Sequence, residues 1–225
     1  MATTTGSGLL GCAAVLAALF CFRSLNAQII QDLPEEPQPH RSGIHFSMSG
    51  GAALALGKTP VTMNTGAAMV FGPSFGGRGR WSLPLNVYLV VSYPPAPILA
   101  QANDDSGMLT LLGFAADPMF TFLGRGRWGA YASAGGGISV KEVRFWHGSS
   151  GCDTYDGCFP PTAQESSWQP MMDASAGVTW LLRPGIPGQL YAELRLVDMF
   201  TPSGLFPGFD TAGTRLLLPQ MGFRF

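Results

Sequence analysis

The chain has 225 residues, 46% of them hydrophobic and only 12% charged, about half the ~25% charge of an ordinary soluble domain. Lys and Arg total 13 and Asp and Glu 14, a net charge of −1, which excludes the basic face of a folded nucleic-acid binder. The length allows one large domain or two small ones.

Residues 1–27 read as a secretory signal peptide. The stretch from Leu9 to Phe22 is apolar, long enough for a signal core and too short for a membrane-spanning helix. Ala27 offers a small residue for cleavage before Gln28, although no Lys or Arg precedes the apolar run. Residues 28–41 are rich in Pro and Glu, without a period, and read as a flexible segment.

From residue 42 onward the chain alternates with period two, the signal of half-buried strands, and shows no helical stripe. Ile44–Leu56 sets Ile44, Phe46 and Met48 against His45, Ser47 and Ser49; Ala67–Phe75 sets Met69 and Phe71 against Gly72 and Ser74. Trp81–Tyr93 is the clearest run, with every odd residue from Trp81 to Tyr93 on one face. Leu109–Leu123, Trp128–Lys141, Trp168–Leu182, Leu190–Val197 and a last run ending at Phe225 complete eight predicted strands. The connections alternate in character. Lys58–Asn64, Pro94–Gly107, Gly148–Ser167 and Thr201–Thr211 are long or polar, whereas Gly76–Arg80, Gly124–Arg127 and Arg183–Gly188 are short.

Period alone does not say which face is inside, because a soluble barrel turns its apolar face in and a membrane barrel turns it out. The second face decides. It is mostly Gly, Ser, Ala, Thr and Tyr, too poor in charge to meet bulk water and suited to the cramped bore of a narrow barrel. Aromatic residues gather at strand ends, with Trp81, Trp128, Trp180 and Phe225 expected as membrane-interface anchors at the short-turn end. Inward parity falls on Asp117, Lys141, Asp173, Glu193, Arg195 and Arg224. Buried charges must pair, so these six are predicted to form a polar network that plugs the lumen; a narrow pore or gate is the alternative use of the same residues.

Several motifs carry no chemistry on this reading. Gly51–Thr59 misses a phosphate loop by Ala52 and runs into Pro60. Gly124–Gly129 spells GxGxxG but opens into alternation and not into a helix, so nothing is there to hold a pyrophosphate. Its GRGRW also occurs at Gly77–Trp81, where Gly supplies a tight turn and Arg78 and Arg80 reach headgroup level. Asp104, Asp105, Asp153 and Asp156 read as solvated loop acids, so no metal and no cofactor is expected. Cys152 and Cys158 lie in a Gly- and Asp-rich loop, and in an exported chain their spacing predicts a disulfide, with two free thiols as the other possibility.

These features together resemble the small bacterial outer-membrane β-barrels of the OmpA/OmpX/OmpW type: a signal-like start, eight alternating segments, and a final strand ending Met221-Gly222-Phe223-Arg224-Phe225. The resemblance implies an all-β, eight-stranded antiparallel up-and-down transmembrane barrel over residues 42–225. It also implies a bacterial outer-membrane location, outer-membrane lipids as partners, and recognition of the C-terminal strand by the barrel-assembly machinery, with a monomer expected. A non-enzymatic structural or surface-interaction role follows, with a small-solute channel as the alternative. Some barrels of this kind are lipid A deacylases with a His and a Ser one residue apart. His147 and Ser149, with Glu165 or Asp153 as orienter, are therefore kept as a further alternative.

Overall fold

A computed structural model describes residues 43–57, 59, 63–76, 80–125, 127–147, 152–153, 157–158, 161–182, 188–200 and 214–225. The expected signal peptide, the segment 28–41 and Ser149 lie outside the described residues, as do the side chains of Cys152, Cys158 and Glu165.

Strands β1 (Gly43–Leu56), β2 (Gly66–Gly76), β3 (Trp81–Ser92), β4 (Ser106–Ala116), β5 (Met119–Arg125), β6 (Trp128–Trp146), β9 (Ala163–Leu181), β10 (Gln189–Met199) and β11 (Thr214–Arg224) form one antiparallel sheet. β7 (Cys152–Asp153) and β8 (Gly157–Cys158) make a separate small ladder within the connection from β6 to β9. The sheet closes because β1 pairs with β11, from Ser47↔Arg224 to Leu56↔Arg215. At the seam Phe46 N–H donates to Phe225 O at 2.8 Å and Phe225 N–H returns to Phe46 O at 2.9 Å. Closure removes the free edges that an open sheet would expose.

β4 and β5 together fill one place in the wall. Both pair with β3 and both pair with β6, so the barrel has eight staves. The predicted run Leu109–Leu123 is thus interrupted, at Asp117–Pro118. Pro118 has no N–H to give the ladder, while Asp117 N–H donates to Pro84 O at 3.0 Å. Asp117 keeps its inward parity at the break, and its side chain is fully buried in the bore. A second departure is helix α1 (Ala96–Ala102), with Pro at its start and Asn103 in the left-handed region (φ 57°) at its end. Seven residues are too few to show a helical period in sequence.

Strand parity is as the alternation predicts. Ile44, Met48, Trp81, Met172, Leu194 and Met221 are exposed on the outer wall, whereas Ser47, Ser74, Tyr88, Ser139, Glu193 and Leu218 are buried within. The bore is not uniformly polar, however, and the expected polar network fills only part of it. Towards the long-connection end it is filled by Met63, Val90, Leu109, Leu111, Met171, Val197, Met199, Leu216 and Leu218. Polar side chains occupy the short-turn half.

The backbone places Cys152 directly opposite Cys158 in the β7–β8 ladder. Antiparallel partners lie roughly 4.5–5.5 Å apart between Cα atoms, inside the range a disulfide spans. Thiol alkylation of the folded protein without reductant is expected to label neither residue, and both after reduction; mass spectrometry of the loop peptide reads the result.

Candidate functional site

The polar half of the bore is built around Arg195. β10 carries it inward, two residues above Glu193 on the same face, and its Nε donates to Glu193 Oε1 at 2.8 Å. Nη1 donates to Asp117 Oδ2 at 2.6 Å and also to Asp173 Oδ2 and Tyr88 Oη. Asp117 comes from the β4–β5 break, Asp173 from β9 and Tyr88 from β3, so one guanidinium ties four staves together. Its side chain is 5% exposed, and those of Asp117 and Asp173 are 0% exposed.

Neutral groups complete the layer. Asn86 Nδ2 donates to Asp117 Oδ2, and Tyr88 Oη lies against the same oxygen at 2.9 Å. Tyr131 Oη donates to Glu193 Oε2 at 2.8 Å, and Ser175 Oγ to the same oxygen at 3.1 Å. Ser133 and Ser175 share a hydrogen bond of 2.8 Å. Below this layer Arg224 lies 5.5 Å from the Tyr131 ring and 5.4 Å from the Tyr191 ring, a cation–π sandwich in place of an ion pair. A cavity of about 10 Å³ beside Glu193, Arg195 and Arg224 holds at most one water.

Four of the six predicted network residues therefore meet: Asp117, Asp173, Glu193 and Arg195. Arg224 sits one level below them. Lys141 does not join. Its Nζ donates to Thr214 Oγ1 at 3.3 Å, up in the apolar half. The reason is height. Register puts Gly135 opposite Asp173 and Lys141 opposite Ser167, six residues further along the ladder, about 20 Å at strand rise. Parity assigns a face but not a level.

The exterior is apolar between two boundaries. At the short-turn end Trp81, Trp128, Trp180 and Phe225 are all exposed. Trp128 stacks on its register partner Trp180 with centroids 5.4 Å apart and planes at 6°. Trp81 packs on Phe120 at 4.9 Å and Phe46 on Phe225 at 5.7 Å. At the other end the outward positions turn ionic, with Arg215 paired to Asp198 and Arg144 to Glu142 at 2.8 Å.

Neisserial surface protein A (NspA) superposes on the chain with a TM-score of 0.55, at 13% identity, over 81% of this chain and 96% of NspA. The fold is that of the small outer-membrane β-barrels. Ail of Yersinia pestis, solved with the heparin analogue sucrose octasulfate, gives 0.44 at 12% identity over 81% of this chain and 99% of Ail. OprG from Pseudomonas aeruginosa gives 0.43 at 11% identity over 83% of this chain and 97% of OprG. No protein-family model and no curated protein matches the sequence.

Of the further candidates, His147 is exposed, with Nδ1 3.1 Å from Asn103 O and 3.9 Å from Asp104 Oδ1. Thr162 Oγ1 donates to the same Asp104 oxygen at 2.9 Å, so this corner ties two outer connections together. Among the described residues no group of three or more His, Cys, Asp or Glu is placed to hold a metal. Sequence reasoning missed Asn86, Tyr88 and Tyr131 as partners of the buried charges. Their inward parity was visible, but only closure brings them to Asp117 and Glu193.

Gly135 is a condition of the site. A Cβ there would collide with Ala116 O and with Asp117 Oδ1. Gly135→Ala is expected to displace Asp117 and destabilise the barrel. Arg195→Ala, which strands three buried carboxyl groups, is expected to cost about 3–5 kcal/mol. Urea unfolding in micelles, followed by tryptophan fluorescence, measures both.

Proposed function

We propose that the chain is an integral protein of the bacterial outer membrane, closed to solutes, whose role is structural or lies in contacts made by its outer connections. The observation that carries this reading is a combination: an apolar wall bounded by an aromatic belt, around a bore filled from both halves. Lipid suits the wall, because Ile44 at 72% and Met221 at 75% exposure would have no cover in water. The packed bore supports a plug over a pore, since Arg195 and its partners meet across it and Met63, Leu216 and Leu218 fill the rest.

The short-turn end then faces the periplasm, and Trp81, Trp128, Trp180 and Phe225 anchor it at the headgroups. The C-terminal strand, with Met221 and Phe225 outward, is the element offered to the assembly machinery. The connections on the other side face the exterior, which accords with the designation of NspA as a surface protein. The reading is non-enzymatic: the inward charged groups Asp117, Asp173, Glu193 and Arg195 are bonded to one another, and Arg224 is held between two tyrosine rings. Outer-membrane lipids are the partners of the wall.

Four measurements test this. Outer-membrane fractions are expected to contain the protein as a band whose gel migration changes on heating; recovery as a soluble periplasmic protein overturns the assignment. Planar bilayers are expected to show no conductance steps, and regular steps would make it a channel. Leu194→Arg, on the lipid-facing wall, is expected to lose about 2–4 kcal/mol of stability in bilayers, the cost of a cation near the midplane. Ser149→Ala is expected to leave lipid A acylation unchanged by mass spectrometry.

A further inference from the structure

The charges of this chain are sorted by end. No Asp or Glu occurs from Pro37 to Asn103, from Pro118 to Lys141, from Ala174 to Ala192 or from Thr211 to Phe225, and these stretches contain all three short connections. Each short connection carries arginine instead: Arg78 and Arg80 before β3, Arg125 and Arg127 at the turn into β6, and Arg183 after β9. The acids stand elsewhere. At the long-connection end Glu142 pairs with Arg144 and Asp198 with Arg215, while in the bore Asp117, Asp173 and Glu193 are taken up by Arg195.

The arginines of the short turns have no such partners. Arg80 and Arg127 are exposed, and among the described residues no Asp or Glu side chain stands within ion-pair distance of either. Their backbones are fixed. Arg80 O accepts from Thr121 N–H at 2.8 Å, and Arg127 O accepts from Leu181 N–H at 2.8 Å. Each precedes an exposed belt tryptophan, Trp81 or Trp128, by a single residue, about 3.3 Å of strand rise. Belt tryptophans mark headgroup level, and the long arginine stem reaches on into the same layer. Arg224 is not part of this rim, because it is held inside between Tyr131 and Tyr191.

We propose that the short-turn end is a binding rim for anionic phospholipid headgroups. A phosphodiester offers paired oxygens to which a guanidinium donates in parallel. An anionic headgroup keeps the net charge that a zwitterionic one cancels. Lipid is favoured over a soluble anion because the arginines are spread over three turns around the barrel, and each turn adjoins an outward tryptophan, Trp81, Trp128 or Trp180. The rim deepens the outer-membrane reading and rests on it for the wall being in lipid; it makes no use of the bore being closed.

The test is made on the protein refolded into phosphatidylcholine vesicles with a minor fraction of brominated phosphatidylglycerol or, for comparison, brominated phosphatidylcholine. In a Trp146→Phe, Trp168→Phe background only Trp81, Trp128 and Trp180 report by fluorescence. Brominated phosphatidylglycerol is expected to quench more, with an association constant about fivefold above that of phosphatidylcholine at low salt. The excess is expected to fade in about 1 M sodium chloride, where charges are screened beyond about 3 Å. Arg80→Gln with Arg127→Gln is expected to lose most of the excess, and Arg144→Gln with Arg215→Gln to keep it. Heat-shifted gel migration shows that each variant is folded. Equal quenching by the two lipids in a heat-shifted barrel overturns the rim alone, as does an excess kept by the Arg80→Gln, Arg127→Gln variant. Inorganic phosphate is expected to compete no better than chloride of equal ionic strength; stronger competition makes the rim a free-phosphate site and overturns the lipid assignment. A chain recovered soluble from the vesicles overturns the membrane reading and the rim with it.

Discussion

Eight strands closed on themselves leave a bore only wide enough for side chains, so an inward residue meets partners from across the barrel as well as along its own strand. Arg195 is where this constraint tightens. It reaches residues from β3, β9 and the β4–β5 break, none of them its neighbour in sequence. The break at Asp117–Pro118 lies in the same frame, and there Asp117, inward by parity, turns its carboxyl group to the guanidinium. Gly135 on β6 leaves the space that this turn requires.

Much of this was legible in the sequence because a strand has a period of two and no intermediate phase. Once one residue of Trp81–Ser92 faces lipid, the facing of the whole run is set, and the exposure of Trp81, Leu83, Leu85 and Leu89 agrees. The facing of Asp117, Asp173, Glu193 and Arg195 followed in the same way. What alternation does not encode is height. Lys141 shares its face with Asp173 but stands far up a long ladder, among Leu and Met.

The apolar half of the bore was hidden for a related reason. At the outer ends of several strands both faces are apolar, as in Leu89-Val90-Val91 and Leu216-Leu217-Leu218, so the period fades where the filling changes. Leu89-Val90-Val91 still belongs to the clear run Trp81–Tyr93, so its inward Val90 gave no sign of a second core. Helix α1 escaped because it is shorter than two turns. Asn86, Tyr88 and Tyr131 were visible as inward residues but not as ligands of the charges, since that depends on which staves face one another.

β6 and β9 stay paired as far as Phe145↔Ala163, and β4 follows β6 to Ser106↔Trp146, whereas β10 ends at Met199 and β11 begins at Thr214. The wall is therefore lopsided, tall on one side and low on the other. With lipid around its base, such a shape works as a mast. The tall side is built from β6 and β9, whose rungs from Lys141↔Ser167 to Phe145↔Ala163 stand beyond the ends of β10 and β11. Changes of sequence in those rungs lie far from the ionic layer in the bore, so the upper wall can vary while the network around Arg195 stays the same.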